Sequence, residues 1–263
     1  MIKKILPTIL LLMFLLTLAC NFFVLAQLRT VGVVVGNWYK HGSISVSWQS
    51  NDTGASFPPA GWEWVEEWNE TQWMTVTVQS ISGTNITSVV AQHFGNGSDK
   101  IRSGWIDINA GNSSAQTNET MDMTFMFISA SLEENHTLYT SGDFMHWTIN
   151  ETTTITYPDT VRDTNHLNLT YRYSYGNGVS VDYYQSMNYY WDKPTGILVE
   201  WSVEVINHTG SYLTHWEVLS SITESSIWVI PEFHYAAPLL LGIIIITAIC
   251  IGVKKKHLEL STY

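Results

Sequence analysis

The chain has 263 residues and a formal net charge of −11, with 12 basic and 23 acidic side chains. Residues 30–235 carry 6 basic and 22 acidic side chains, which leaves −16 for this stretch and argues against binding to nucleic acid or to anionic lipid head groups. Both cysteines, Cys20 and Cys250, lie in hydrophobic segments at the two ends. The part between them therefore has no disulfide, no Cys-ligated metal and no thiol nucleophile.

Residues 1–26 have the pattern of a secretory signal peptide. Two lysines precede an apolar run over residues 5–18, and a small-residue cleavage site ends at Ala26. Retention of the run as a second anchor and lipoprotein-type cleavage before Cys20 are the alternatives. The signal predicts export of residues 27–229, which are enough for one domain with a sizeable core.

Alternating apolar and polar residues predict β-strands through most of this exported part. Besides an apolar run at residues 121–130, the predicted strands cover residues 43–48, 73–78, 89–94, 101–108, 149–157, 166–175, 179–191, 197–206 and 212–223. Tight turns rich in Gly, Asn and Asp join the last four into an antiparallel meander.

Helix is scarce in the sequence pattern. The best candidate covers residues 62–69, where Trp64 and Trp68 share one face, and a single turn is expected near residues 141–147. We therefore expect one all-β, predominantly antiparallel domain. It is either a strongly curved sheet or half-barrel, or a sandwich, because so many strand edges need protection.

Tryptophan is concentrated at the predicted helix. Trp62, Trp64, Trp68 and Trp73 lie within twelve residues that also hold four glutamates, and these side chains cannot all face inward. We predict that Trp62, Trp64 and Trp68 contact a partner or stack on a glycan, with burial as a lid over the sheet as the alternative. Glycan binding requires the three rings to be exposed on one plane.

A second aromatic group is expected to fill core and cross-strand positions: Tyr183, Tyr184, Tyr189, Tyr190 and Trp191.

No motif of nucleophilic, phosphate-binding or metal-dependent catalysis is present in the sequence. His208 and His215 flank a turn and are close enough in sequence to meet across a hairpin, and His166 near Asp163 is either a base with an orienting acid or a turn cap. Residues 107–111 are similar to part of a calcium loop, but their spacing favours a β-turn with an Asx hydrogen bond. We predict no enzyme activity and no cofactor, with Ca²⁺ binding to the acidic surface left open without a defined site.

Ten Asn-x-Ser/Thr sequons predict a heavily N-glycosylated surface. They are Asn51, Asn69, Asn85, Asn96, Asn112, Asn118, Asn135, Asn150, Asn168 and Asn207.

The C-terminal part predicts a membrane anchor over residues 230–253. Residues 236–253 carry no charge, and as a helix they would extend roughly 27 Å, close to the thickness of a hydrocarbon core. Three lysines then place residues 254–263 in the cytoplasm by the positive-inside rule: Lys254, Lys255 and Lys256. The bulk of the chain is thus expected outside the cell.

The tripeptide Pro231, Glu232 and Phe233, followed by the apolar span and basic residues, resembles the PEF-type C-terminal sorting signals of archaeal surface proteins. The resemblance implies recognition of the tail by an archaeosortase, with cleavage and attachment of a lipid. The segment over residues 35–40 and the hairpin over residues 189–200 are similar to those of archaeal exported proteins, and this likeness implies no activity. The hairpin arrangement resembles the curved half-barrels of lipoprotein carriers at the level of fold alone.

We expect a single-pass archaeal cell-surface glycoprotein with a structural or binding role in the envelope or in adhesion. The alternatives are a carrier or sensor that holds an apolar ligand in a curved sheet, and a glycan-binding module that uses the tryptophans. An empty apolar cavity in the folded protein favours the carrier or sensor, whereas a packed interior removes it. Expected partners are membrane lipid, other envelope proteins, surface glycans and an archaeosortase, and nucleic acid is excluded.

Overall fold

The computed structural model describes residues 29–58, 62–130, 132–157, 160–176 and 180–228. The predicted signal peptide, PEF tripeptide, transmembrane helix and basic tail lie outside these residues. Within the described ranges, no helix is both long enough and apolar enough to cross a membrane.

The regular structure of the described part consists of nine strands and one helix. In chain order these are β1 (Trp38–Ser50), α1 (Trp64–Glu70), β2 (Thr71–Ser82), β3 (Asn85–Phe94), β4 (Asp99–Asp107), β5 (Glu151–Tyr157), β6 (Thr160–Gly176), β7 (Ser180–Asp192), β8 (Leu198–Thr209) and β9 (Tyr212–Ser225). The predicted all-β class is confirmed.

The nine strands form one antiparallel sheet in the order β4-β3-β2-β1-β9-β8-β7-β6-β5. Strands that follow one another within β1–β4 and within β5–β9 pair as neighbours, and the pairing of β1 with β9 joins the two groups. In that pairing Val46 lies opposite Val218, and Trp48 lies opposite Trp216. The predicted meander over the last four strands is confirmed.

One face of the sheet is buried and is called the covered face below. Burial alternates along the strands, so that Met74, Val76 and Val78 of β2 are buried while their neighbours are more exposed. The same alternation buries Val203 of β8 and Val218 of β9. Period-two burial of this kind is what an antiparallel sheet shows when only one of its faces meets the core.

The connection from β4 to β5, residues 108–150, supplies much of what covers this face. Its apolar run, residues 121–130, is called the crossing segment. The run forms no regular strand and makes an isolated bridge to the chain around Ile197: Ile128 N–H donates to the Gly196 carbonyl at 2.8 Å, and Leu198 N–H donates to the Met126 carbonyl at 3.0 Å. The segment is apolar because it is buried, and such burial does not distinguish a strand from an irregular chain.

Gly104 of β4 allows the crossing segment to approach the sheet. A Cβ at this position would lie 2.4 Å from the Met123 Cγ and 2.6 Å from the Met121 carbonyl oxygen. The chain therefore passes over β4 at a distance that only glycine permits.

Helix α1 begins within two residues of its predicted position and is held by packing as well as by its ends. Val65 is fully buried, and Glu66 and Glu67 lie in the first turn, where acidic side chains stabilise the positive end of the helix dipole. At the other end the Thr71 hydroxyl donates to the Glu67 carbonyl at 2.6 Å. The predicted single turn near residues 141–147 is also present as a turn.

The turn between β7 and β8 is fixed by a buried ion pair. Arg162 donates to Asp192 from Nε at 2.6 Å and from Nη2 at 3.0 Å, a two-point contact on a carboxylate with no exposed surface. The Thr195 hydroxyl donates to the same carboxylate, and Gly196 takes a φ of +73°. The predicted turn is confirmed, and its first residue also anchors β6.

Candidate functional site

The three tryptophans singled out in the sequence lie over the covered face. Trp62 meets Trp216 edge-on with ring centroids 4.7 Å apart, and Trp68 meets Trp201 edge-on at 4.9 Å. Trp64 lies between the two pairs, 6.3 Å from Trp201. Edge-to-face contacts in this range stabilise an aromatic cluster beyond the area it buries.

These rings do not form one flat exposed surface. Trp62 and Trp64 are inclined by 58°, and Trp64, the most exposed of the three, has 38% of its surface accessible. Trp62 and Trp68 are partly buried against the core. The geometry is that of a lid over the sheet, and the coplanar arrangement required for a glycan platform is not formed.

A cleft runs beside this lid and has two lobes, together called the aromatic cleft. The first, called the polar lobe, has a volume of about 320 Å³. Its walls include Trp64, Glu67, Gln92, Arg102 and Met121. The volume lies in the lower part of the range found for small-molecule sites, roughly 300–1,000 Å³.

The second lobe, called the apolar lobe, has a volume of about 190 Å³ and lies on the other side of Trp68. Its walls include Phe125 and Met126 of the crossing segment and Tyr189, Leu198 and Trp201 of the sheet. The two lobes share wall residues: Trp68, Met121 and Asp122. They are therefore neighbouring parts of one depression between α1, the crossing segment and the sheet.

Arg102 is the cation among the residues that line the polar lobe, where it lies beside Glu67. Its side chain is only 2% exposed, and Nη2 donates to Glu67 Oε1 at 2.5 Å and to the Gln92 side-chain oxygen. Lys100 donates to the other oxygen of Glu67 at 2.9 Å, so two cations share one carboxylate. Among the described residues, Nε and Nη1 of Arg102 have no hydrogen-bond partner.

Apart from Asp122 on the shared wall, the apolar lobe is lined by uncharged side chains. Burial, with a smaller contribution from Tyr171, raises the pKa of Tyr189 to about 12, so its phenol stays protonated at neutral pH. The indole Nε1 of Trp201 is buried and finds no acceptor in the part of the chain that the structure describes. Phe125, another wall residue of the apolar lobe, has a φ of +70°, which is uncommon for a residue with a bulky side chain. The Phe125 carbonyl accepts a hydrogen bond from Trp191 Nε1 at 2.6 Å.

The second aromatic group divides between the two faces of the sheet. Trp191 is fully buried and Tyr189 is packed against the core, which confirms the predicted structural role for both. Tyr183 is also on the covered face, stacked on Tyr173 at 4.6 Å. Tyr190 points to the other face, where it stacks on His166 at 4.2 Å.

The histidines do not assemble a catalytic pair with the residues proposed from sequence. His166 meets Glu151 at 3.0 Å and Asn188 at 3.1 Å, whereas Asp163 accepts from Thr154 at 3.0 Å. The Asp163–His166 hypothesis is therefore replaced by a contact between β5 and β6.

The structure also decides the two remaining candidates from the sequence, the His208–His215 pair and the turn at residues 107–111. His215 meets Glu204 at 3.1 Å, and no hydrogen bond joins it to His208 in the described part. The N–H of Asn109 donates to Asp107 Oδ1 at 2.9 Å, which confirms the predicted Asx turn. No group of His, Cys, Asp and Glu suited to a metal ion occurs among the described residues.

The sequons differ in accessibility. Asn51, Asn69, Asn85, Asn96, Asn112, Asn118, Asn135 and Asn150 are exposed. Asn168 and Asn207 are half-buried, and the amide nitrogen of Asn168 donates to Asn188 at 2.7 Å and to Ser186 at 3.2 Å. Glycan occupancy stays a prediction at all ten positions.

Sequence reasoning found the tryptophans but missed Arg102 and Gln92. The alternation of β4 indicates the burial of Arg102. Arg102 and Ile106 are four residues apart and therefore lie on the same, buried face of the strand, whereas Trp105 lies on the exposed face. No protein-family model matches the chain, and neither does any curated protein. The aromatic cleft is the feature of the described residues on which a functional hypothesis rests.

Proposed function

We propose that the protein is an extracytoplasmic binding protein, anchored in the membrane of an archaeal cell, that holds an apolar chain in its aromatic cleft. Of the alternatives stated from the sequence, this is the carrier or sensor. The sheet acts as a strongly curved half-barrel whose covered face is largely filled by the crossing segment and by α1. The aromatic cleft is the part left open.

The apolar lobe is the observation that carries this proposal. A pocket walled largely by side chains such as Phe125, Leu198 and Trp201 removes apolar ligand surface from water, at roughly 25 cal/mol per Å². Small-ligand sites combine such walls with a few polar groups that fix orientation. The polar lobe supplies those groups directly beside it.

The cellular setting in this proposal comes from the sequence. Export through the signal at residues 1–26, anchoring by residues 236–253 and a cytoplasmic basic tail place the cleft outside the cell. Eight exposed sequons and the acidic composition fit a glycosylated surface protein with membrane lipid as one partner. Processing at Pro231 by an archaeosortase and contacts with other envelope proteins belong to the same proposal. A catalytic role is not part of it.

Photo-crosslinking tests the binding function in the full chain. The protein is reconstituted in nanodiscs of zwitterionic lipid and exposed to a dodecan-1-ol analogue that carries an aliphatic diazirine. We expect saturable labelling of peptides that contain Trp68 and the crossing segment, displaced by excess dodecan-1-ol. Labelling confined to the membrane segment, or labelling that excess alcohol does not displace, contradicts the proposal.

A matched pair of tryptophan variants localises the effect. Trp68→Ala removes the wall common to both lobes and should weaken labelling of the crossing segment. Trp105→Ala removes an exposed tryptophan on the opposite side of β4 and should leave labelling unchanged. Equal loss of labelling in both variants contradicts a role for the cleft.

A further inference from the structure

Two residues that line the cleft carry buried hydrogen-bond donors without partners, while the acceptors around them are engaged. Nε and Nη1 of Arg102, three N–H groups in all, have no partner in the described ranges, and neither does Trp201 Nε1. The acceptors nearby are already used. Glu67 accepts hydrogen bonds from Arg102 and Lys100, and the Gln92 side-chain oxygen accepts one from Arg102. Buried donors without partners are costly, so a ligand rich in acceptors is favoured here.

The charge of the polar lobe points in the same direction. Arg102 is almost completely buried, and the single carboxylate of Glu67 is shared between it and Lys100. Among the residues that line the lobe, Arg102 is the cation and Glu67 and Asp122 are the anions, so the positive charge of the lobe lies at Arg102. A buried guanidinium offers several N–H groups to a carboxylate or phosphate and is less costly when an anion meets them.

Asp122 gives the junction of the two lobes a negative charge. Its carboxylate lies where the two lobes meet, is exposed to solvent, and accepts from Ser113 at 2.6 Å and from the Thr124 N–H at 2.8 Å. An anion next to Asp122 would meet a carboxylate without a salt bridge in the described part, whereas one at Arg102 would meet Glu67 with its charge offset by Arg102 and Lys100. An apolar chain that starts at Arg102 passes Trp68 and reaches the apolar lobe.

We infer that the aromatic cleft takes a single-chain amphiphile whose anionic head group, a carboxylate or a phosphate, lies on Arg102 and whose hydrocarbon chain lies past Trp68 in the apolar lobe. This inference rests on the proposed function and adds the class of head group to it. Trp201 Nε1 provides a second donor along the same path.

Competition in the photo-crosslinking assay tests the head group. Dodecanoate, dodecyl phosphate and dodecan-1-ol compete with the neutral probe at about pH 8, where both acids are ionised in water. We expect the anions to compete roughly tenfold better than the alcohol, the gain typical of a charge-assisted hydrogen bond. A preference for dodecanoate over dodecyl phosphate assigns the site to a free carboxylate, and the reverse assigns it to a lipid phosphate.

Charge variants connect the preference to one residue. Arg102→Gln should abolish the preference for the anions while the alcohol still competes, which also shows that the variant is folded. Lys40→Gln removes the same charge from an exposed ion pair with Glu224 and should leave the preference intact. An anion preference that persists in Arg102→Gln overturns the assignment to this residue.

Two measurements in the unmodified protein do not depend on the folding of any variant. Equal competition by anions and alcohol overturns the anionic head group but leaves the apolar site standing, whereas competition by none of them removes the proposed function itself. A carboxylate probe with its diazirine beside the head group should label the peptide that contains Arg102. Labelling of the Phe125 peptide instead would reverse the ligand and contradict the inference.

Discussion

His41 should make the stability of the domain depend on pH between about 6.5 and 4. The side chain is fully buried in β1, with Nδ1 2.9 Å from the Ser220 hydroxyl and the ring of Tyr39 edge-on at 5.7 Å. Burial lowers the pKa of His41 from 6.5 to about 4, with the backbone of Leu198 opposing part of this effect. The folded protein therefore keeps this imidazole neutral where the unfolded chain protonates it.

The sign and size of the effect follow from this difference. Because the folded pKa lies below the unfolded value, the unfolded state binds more protons as the pH falls, and stability is lost in that direction. Above about pH 6.5 the contribution is fully present. By about pH 4 roughly 3 kcal/mol is lost, at 1.36 kcal/mol for each unit of pKa difference.

A variant comparison isolates this contribution from that of the many carboxylates. His41→Gln keeps a hydrogen-bonding group for Ser220 but does not titrate. The free energy of unfolding, measured by denaturant titration across this pH range, should fall by about 3 kcal/mol more in the wild type than in the variant. Parallel pH profiles for the two proteins would refute the reasoning.

Two further predictions concern the covered face and the turn that leads into β8. Gly104→Val places side-chain atoms where the crossing segment lies and should destabilise the protein by at least about 1–3 kcal/mol in thermal unfolding. Gly54→Val, in an exposed loop, is the control and should have little effect. Equal melting temperatures for the two variants would contradict the close approach of the crossing segment to β4. Asp192→Asn leaves the Arg162 charge without its carboxylate and should lower the free energy of unfolding by about 3–5 kcal/mol. Glu224→Gln, in an exposed ion pair with Lys40, should lower it by less than about 1 kcal/mol. Similar losses in the two variants would contradict a buried ion pair at Asp192.

The sheet could be predicted because its residues alternate. Strand β2 repeats buried Met74, Val76 and Val78 between more polar neighbours, and only an extended chain places all three on one face. The short turns of the last four strands were equally visible, since Gly196 and its neighbours carry the residues that such turns require.

The cover of the sheet could not be predicted in the same way. The crossing segment is apolar on all sides, so its sequence shows burial without showing what it is buried against. Only the folded chain shows that Gly104 admits it and that Met126 and Ile128 bond to β8 and the turn before it. The cleft could not be predicted for the same reason, because its walls come from α1, the crossing segment and four strands.

The residues of the cleft also divide into those that the sequence singles out and those that only the folded chain shows. Trp68 was found because tryptophan next to glutamate on a short helix is conspicuous in a sequence. Arg102 was not found, because a lone arginine on a strand is ordinary until its burial and its contact with Glu67 are known.

The most direct test of the proposed binding function is a crystal structure of the full chain with dodecan-1-ol. We predict continuous density for the alkyl chain between Trp68 and Phe125, in contact with Tyr189 and Trp201, with α1 in the position described here. Density for the alcohol only on the opposite face of the sheet, or an aromatic cleft closed by these same side chains in the presence of the alcohol, would contradict the proposal.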